Sequence, residues 1–191
     1  MNKKIIILIS IAILLIGLGV FAYWFFVLQS SSDDTKSQQS TQSEASKPAS
    51  DKDVSTLLGS TGSASTFYGV LKTANLLSNI QGQGPFTIIA PSNAAFNALP
   101  SGTLDRLQKP ENIAQLTNIM NYHIISGSLL TSQLTNGQKI KTANGQEVVV
   151  SIEGSNIYFV GAKGDKALVT KSDIKAQNGV IHITDAVLLP Q

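Results

Sequence analysis

The side chains in this sequence that could exchange a proton near neutral pH or hold a transition metal are few. There are two histidines, His123 and His182, and no cysteine. Without thiols, and with no H-x-x-x-H spacing, the ligand set of a zinc site is missing, so no metal site is assigned. Nucleophilic catalysis finds no G-x-S-x-G elbow, and phosphate binding finds no G-x-x-x-x-G-K-[ST] loop. Gly82-Gln83-Gly84 runs into Pro85 instead of the helix that a dinucleotide site requires. Carboxylates distant in sequence can meet in space as acid and base, but no particular pair is indicated. No catalytic residue and no cofactor is therefore expected. His182 reads as a structural histidine within a strand. His123, beside Tyr122 at a helix-to-strand junction, is more open, with packing and hydrogen bonding between the helix and the sheet the favoured reading. Lys163-Gly164-Asp165 spells a tripeptide that some integrins read, yet these are ordinary turn residues in a glycine-rich stretch.

The elements that must position these groups can be read from periodicity. Phe67, Val70, Leu71, Ala74, Leu76 and Leu77 form a stripe at helical spacing that Gly82–Pro85 ends. "FTIIA", Phe86 to Ala90, is a short apolar strand, and Ser92 is a suitable N-cap for "NAAFNAL". Another helix is expected from Thr103. Pro110-Glu111 opens a further one, with Ile113, Leu116, Ile119 and Met120 in register up to "NYHII". Beyond it the period becomes two. "QKIKT", "QEVVVSI", "NIYFV" and "ALVTK" are strand candidates joined by turns at Asn144-Gly145, Gly154–Asn156 and Gly161–Asp165. The closing stretch "NGVIHITDAVLLP", Asn178 to Pro190, is expected to be a strand inserted in the sheet, with Ile181 and Ile183 on one face and Val180, His182 and Thr184 on the other. Helices first and strands later indicate an α+β domain.

Residues 51–191 carry ten Lys and Arg against nine Asp and Glu. That balance argues against a polyanionic partner, and nucleic acid is not expected. Residues 1–28 differ sharply. Ile5 to Leu28 contains no charged side chain, and its 24 residues would make a helix of roughly 36 Å, enough to span a bilayer core of about 30 Å. Lys3 and Lys4 precede it and aromatic residues crowd its far end, so a single-pass transmembrane helix is expected in the plasma membrane, amino terminus inside and the rest outside. The run is longer than a secretory signal's apolar region and ends in bulky aromatics, which favours an uncleaved signal-anchor over a cleaved signal. Residues 29–50 have no aliphatic side chain larger than Ala and no aromatic. They are expected to be a disordered tether.

Three segments together resemble the fasciclin domain family: "FTIIAPSNAAF" (Phe86–Phe96), "NYHII" (Asn121–Ile125) and "SDIKAQNGVIHITDAVLLP" (Ser172–Pro190), in the family's order. The likeness covers essentially residues 51–191. It implies a wedge-shaped β-sandwich packed with several helices, in which the first and last of these segments supply neighbouring central strands. It also implies an adhesion or interaction domain binding a protein or a surface glycan outside the cell, not an enzyme. A cell-envelope enzyme or small-ligand carrier on the same scaffold is the alternative. By the same resemblance Tyr122 and His123 match the family's Tyr-His motif, and Asp173 and Ile174 an Asp-Ile element. These four are the candidate partner-binding residues. A deep pocket with convergent polar groups would favour the enzyme or carrier.

Overall fold

The computed structural model describes residues 50–191. The expected membrane-spanning segment, Ile5 to Leu28, and the tether, apart from Ser50, lie outside them. Among the described residues no helix is long and apolar enough to cross a membrane.

Six short helices and seven strands make up the domain. The helices are α1 (Val54–Ser60), α2 (Ser65–Thr73), α3 (Leu77–Gln81), α4 (Asn93–Asn97), α5 (Thr103–Leu107) and α6 (Ile113–Tyr122). The strands are β1 (Phe86–Pro91), β2 (Ile124–Ser126), β3 (Lys139–Lys141), β4 (Glu147–Glu153), β5 (Asn156–Val160), β6 (Lys166–Ala176) and β7 (Gly179–Thr184). The strand order is β2-β1-β7-β6-β5-β4-β3. The α+β class holds, and β7 lies beside β1 as expected, parallel to it from Phe86↔Gly179 to Pro91↔Thr184.

Alternation divides the core in two. Ile88 and Ala90 of β1 with Ile181 and Ile183 of β7 face the helices and meet Phe67, Leu71, Leu116 and Met120. The opposite face of β1 presents Ile89, which clusters with Ile125, Val148, Val150 and Phe159. Strands β4 and β5 are thus packed over β1 and β2 although the hydrogen-bonded order separates them. The sheet doubles back along β6, which pairs with β5 at its start and with β7 further on, its register slipping between Val169 and Ile174. Bulges of this kind bend a strand and increase its twist. All six residues of β7 are buried. Each of its isoleucines contributes about 1.5–3 kcal/mol on burial.

The parallel pair is tight at its entrance. A Cβ on Gly179 would collide with the carbonyl of Phe86, and one on Gly84 with the carbonyl of Asn178. Only glycine permits that approach. Asn178 fastens the same corner: its Oδ1 accepts from the Val54 amide at 2.8 Å, and its Nδ2 donates to the carbonyls of Ile80 and Gly82.

Three details differ from the sequence expectation. The stripe from Phe67 to Leu77 is not one helix: α2 and α3 are separated at Asn75, whose φ is 55°. Helix α1 is not indicated by the periodicity of the sequence, although Asp53 caps it by accepting from the Thr56 amide at 2.7 Å. Strand β7 ends at Thr184, so Val187 to Leu189 is not strand. Leu188 enters the inter-sheet cluster while Val187 and Leu189 pack on the helical side.

Candidate functional site

Helix α6 delivers the Tyr-His pair. A turn of 3₁₀ helix, Pro110–Asn112, leads into it, and its stripe of Leu116, Ile119 and Met120 is buried against α2 and the sheet. The helix ends at Tyr122, and β2 starts immediately after His123, so both side chains are caught between helix and sheet. Each is fully buried, at 0% exposure.

Every polar atom of the pair is engaged inside the fold. The Tyr122 hydroxyl donates to the carbonyl of Glu147 at 2.9 Å and accepts from the Ala162 amide at 2.9 Å. It thereby ties α6 to the start of β4 and to the turn before β6. Burial pushes the phenol above its ordinary value of 10; the Ala162 donor opposes this, and the charge of Asp165 adds to it. His123 Nδ1 lies 2.8 Å from the carbonyl of Ile119, and Nε2 accepts from the Leu188 amide at 3.1 Å. An acceptor on one side and a donor on the other require the neutral ring protonated at Nδ1. Burial pushes the imidazole down from 6.5 to about 4, against the upward pull of the Ile119 carbonyl and of Asp165. Phe67 and Tyr122 flank the ring, with centroids 5.8 Å and 6.5 Å away.

Asp173 and Ile174 lie on β6, at the register slip opposite β7. Asp173 has φ 55°, a left-handed conformation that Asp tolerates better than most residues. Its carboxylate accepts from the amide of Thr131 at 2.9 Å and, closely, from the Thr131 hydroxyl, which fixes the 3₁₀ turn Thr131–Gln133. The Asp173 amide donates to His182 Nδ1 at 3.3 Å, and His182 Nε2 faces the carbonyl of Leu129 at 2.8 Å. His182 is therefore the other neutral tautomer, protonated at Nε2, and burial lowers its affinity for a proton. Ile174 pairs with Ile181 and is half-buried against the helical core. No hydrogen bond joins Tyr122–His123 to Asp173–Ile174: the first pair braces the end of α6, the second the loop after β2.

The Lys163-Gly164-Asp165 turn exposes its Lys and Gly but not its acid. Asp165 Oδ2 accepts from the Leu189 amide at 3.0 Å, and Oδ1 is buried with no partner among the described residues. A receptor that reads a carboxylate at a turn tip would not find this one presented. Among the described residues no group of three His, Cys, Asp or Glu is placed to hold a metal ion.

Three further polar residues hold the domain together, and no spacing in the sequence marks them. Asn178 clamps the entrance of the parallel pair. Asn93 accepts from the Thr66 amide at 2.9 Å and donates to the carbonyl of Gly62 at 2.8 Å, joining α4 to the start of α2. Thr87 donates to the carbonyl of Gly127 and accepts from the Leu129 amide. Asn93 and Asn178 stand inside the two longer family-like segments, where their neighbours indicate only a helix start and a strand.

The comparisons with known proteins agree with this architecture. The family model described as "Fasciclin domain" matches residues 62–190. Protein sll1483 of Synechocystis is 37% identical over 126 residues, covering 66% of this chain and 67% of that protein. Human periostin is 32% identical over 126 residues, but those residues are 14% of its length. A solved FAS1 domain pair from the insect cell adhesion molecule fasciclin I matches with a TM-score of 0.55 and 29% identity, over 66% of this chain and 45% of the insect one.

Proposed function

The chain belongs to the fasciclin domain family, and from that premise we propose that it is a non-enzymatic adhesion or interaction module, displayed outside the cell on one N-terminal membrane anchor. Its partner would be another protein or a surface glycan. The observation that carries the reading is the inward use of the groups that could have done chemistry. Tyr122, His123, Asp173, Asp165 and His182 each hydrogen-bond at least one backbone group of the same domain. Buried groups satisfied in this way rigidify a scaffold, and recognition is left to exposed loops upon it. In this reading Tyr122 and His123 are supports and not contacts. The insect cell adhesion molecule matched in structure and the near-balance of charge both support a neutral protein–protein or protein–glycan surface.

Display and partner are tested separately. Protease added to intact cells, or to spheroplasts where an outer membrane intervenes, should release a folded fragment beginning around Pro48 to Val54. Complete protection of the domain, under conditions that digest a known external protein, would refute the topology. Crosslinking on intact cells followed by capture of this chain should recover one surface protein or glycan reproducibly, and Lys163→Ala or other changes in exposed turns should weaken that capture without lowering stability.

A further inference from the structure

Between α4, α5, α6 and the segment after β7 lies an apolar cleft of about 230 Å³. Its floor is core: Phe96, Leu116 and Met120, each at most 5% exposed. Its mouth is formed by the half-buried Leu104 of α5 on one side and Val187 and Leu189 on the other. The far wall is held in place, because the amide of Leu188 is bound by His123 Nε2 and that of Leu189 by Asp165. Holding Leu188 inward turns its two neighbours towards the helices, so the cleft exists before any ligand arrives. Water has few groups to bond along such walls, which favours an apolar guest.

One charged side chain lines it, that of Arg106, which is exposed at the mouth and has no carboxylate within ion-pair distance among the described residues. We propose that the cleft binds the tail of a medium-chain anionic amphiphile, with its carboxylate at Arg106. At the roughly 30 Å³ that a water-sized group occupies, the volume holds about eight methylene-sized groups. A cationic head would be repelled at this mouth and a neutral one would gain nothing from the guanidinium. The inference is independent of which loops carry adhesion.

The chain has two methionines, Met1 and Met120, so methyl-¹³C labelling gives one reporter on the cleft floor and one remote from it in sequence. With the full chain in lipid nanodiscs and free ligand measured by dialysis, sodium octanoate should shift Met120 saturably and leave Met1 unmoved. Affinity should climb about fourfold per methylene from butyrate to octanoate and then level off, because the cleft is full. Arg106→Gln should weaken octanoate two- to fivefold, the size of an exposed ion pair, and leave 1-octanol unchanged. Leu104→Trp, which fills the mouth, should abolish both. Should that variant fail to melt cooperatively, the chain-length series decides alone. A silent Met120, a shift that grows without saturation as bilayer partition would, affinity that keeps rising past ten carbons, or equal loss of octanoate and octanol in Arg106→Gln would each overturn the assignment.

Discussion

Acid should destabilise this domain through His123. In the folded chain the ring takes a proton only at about 4, whereas the unfolded ring does so at about 6.5. The cause is visible in the geometry. A second ring proton would sit on Nε2, which faces the Leu188 N–H at 3.1 Å, setting donor against donor in a fully buried site. Because the folded value lies below the unfolded one, the stabilisation is complete above pH 6.5 and is lost as the pH falls towards 4. At 1.36 kcal/mol per pH unit the loss is about 2 kcal/mol by pH 5 and about 3 kcal/mol by pH 4. Against a total stability of about 5–15 kcal/mol this is a large share. His182 is also displaced downward and adds loss in the same direction. Urea melts of the full chain at pH 7.5, 6 and 5 should show the midpoint falling with little change in slope. Nitrogen-15 spectra should show His123 protonated at Nδ1 and His182 at Nε2. A His123 ring that ionises near 6.5 in the folded chain, or a urea midpoint constant between pH 7.5 and 5, would refute the reasoning.

Other substitutions test the remaining contacts. Tyr122→Phe, which keeps the ring and loses bonds to Glu147 and Ala162, should cost about 1–2 kcal/mol, since both backbone partners can turn to water; Tyr122→Ala should cost about 3–5 kcal/mol in the same urea melts. Loss of partner binding in Tyr122→Ala at unchanged stability would instead make the tyrosine a contact. Gly179→Ala drives a methyl into the Phe86 carbonyl and should cost on the order of 3 kcal/mol, while Gly62→Ala, which meets open space, should melt nearly as the parent does. Asp173→Asn keeps an acceptor for Thr131 and tolerates the left-handed backbone, so its cost should stay below about 1 kcal/mol; Asp173→Ala should cost about 2–3 kcal/mol, and equal melting of the two would remove the carboxylate's bracing role.

How much of this was legible in sequence depends on whether a signal is periodic. The alternation of "FTIIA" and "GVIHIT" gives the buried faces of β1 and β7, and the turn residues of the hairpins are written in their Gly and Asn. Ser92 caps α4 as expected, accepting from the Ala95 amide at 3.2 Å. The break at Asn75 is hidden because α2 and α3 bury their apolar residues in one core, so the stripe runs through it unbroken. The first half of strand β6 is legible as "ALVTK", but its continuation to Ala176 is hidden for the opposite reason: the register slips at Lys171 and Ile174, and a strand that bends loses its period of two. Asn178 is the hardest case. A residue that binds three backbone groups, two of them nearly a hundred positions away, looks in sequence like half of an Asn-Gly turn.

The candidate site and the cleft are one construction. Leu188 is the link: its amide is held by His123, its side chain fills the inter-sheet cluster, and its neighbours Val187 and Leu189 wall the apolar cleft. A proton on His123 would remove the acceptor that fixes this segment, so the pH range that weakens the fold should also loosen the cleft wall. Asp165 in turn holds the amide of Leu189 and lies in the turn that Tyr122 pins through Ala162. A Tyr-His pair with no exposed surface can thus govern binding without touching a ligand, by setting where the chain runs after β7. On this view the effect of His123→Ala on any partner should pass through Val187 and Leu189. Restoring those positions by a ligand in the cleft should recover part of the lost stability, as expected when a ligand binds only the folded form. No recovery with saturating octanoate would separate the two features and leave the pair as a brace alone.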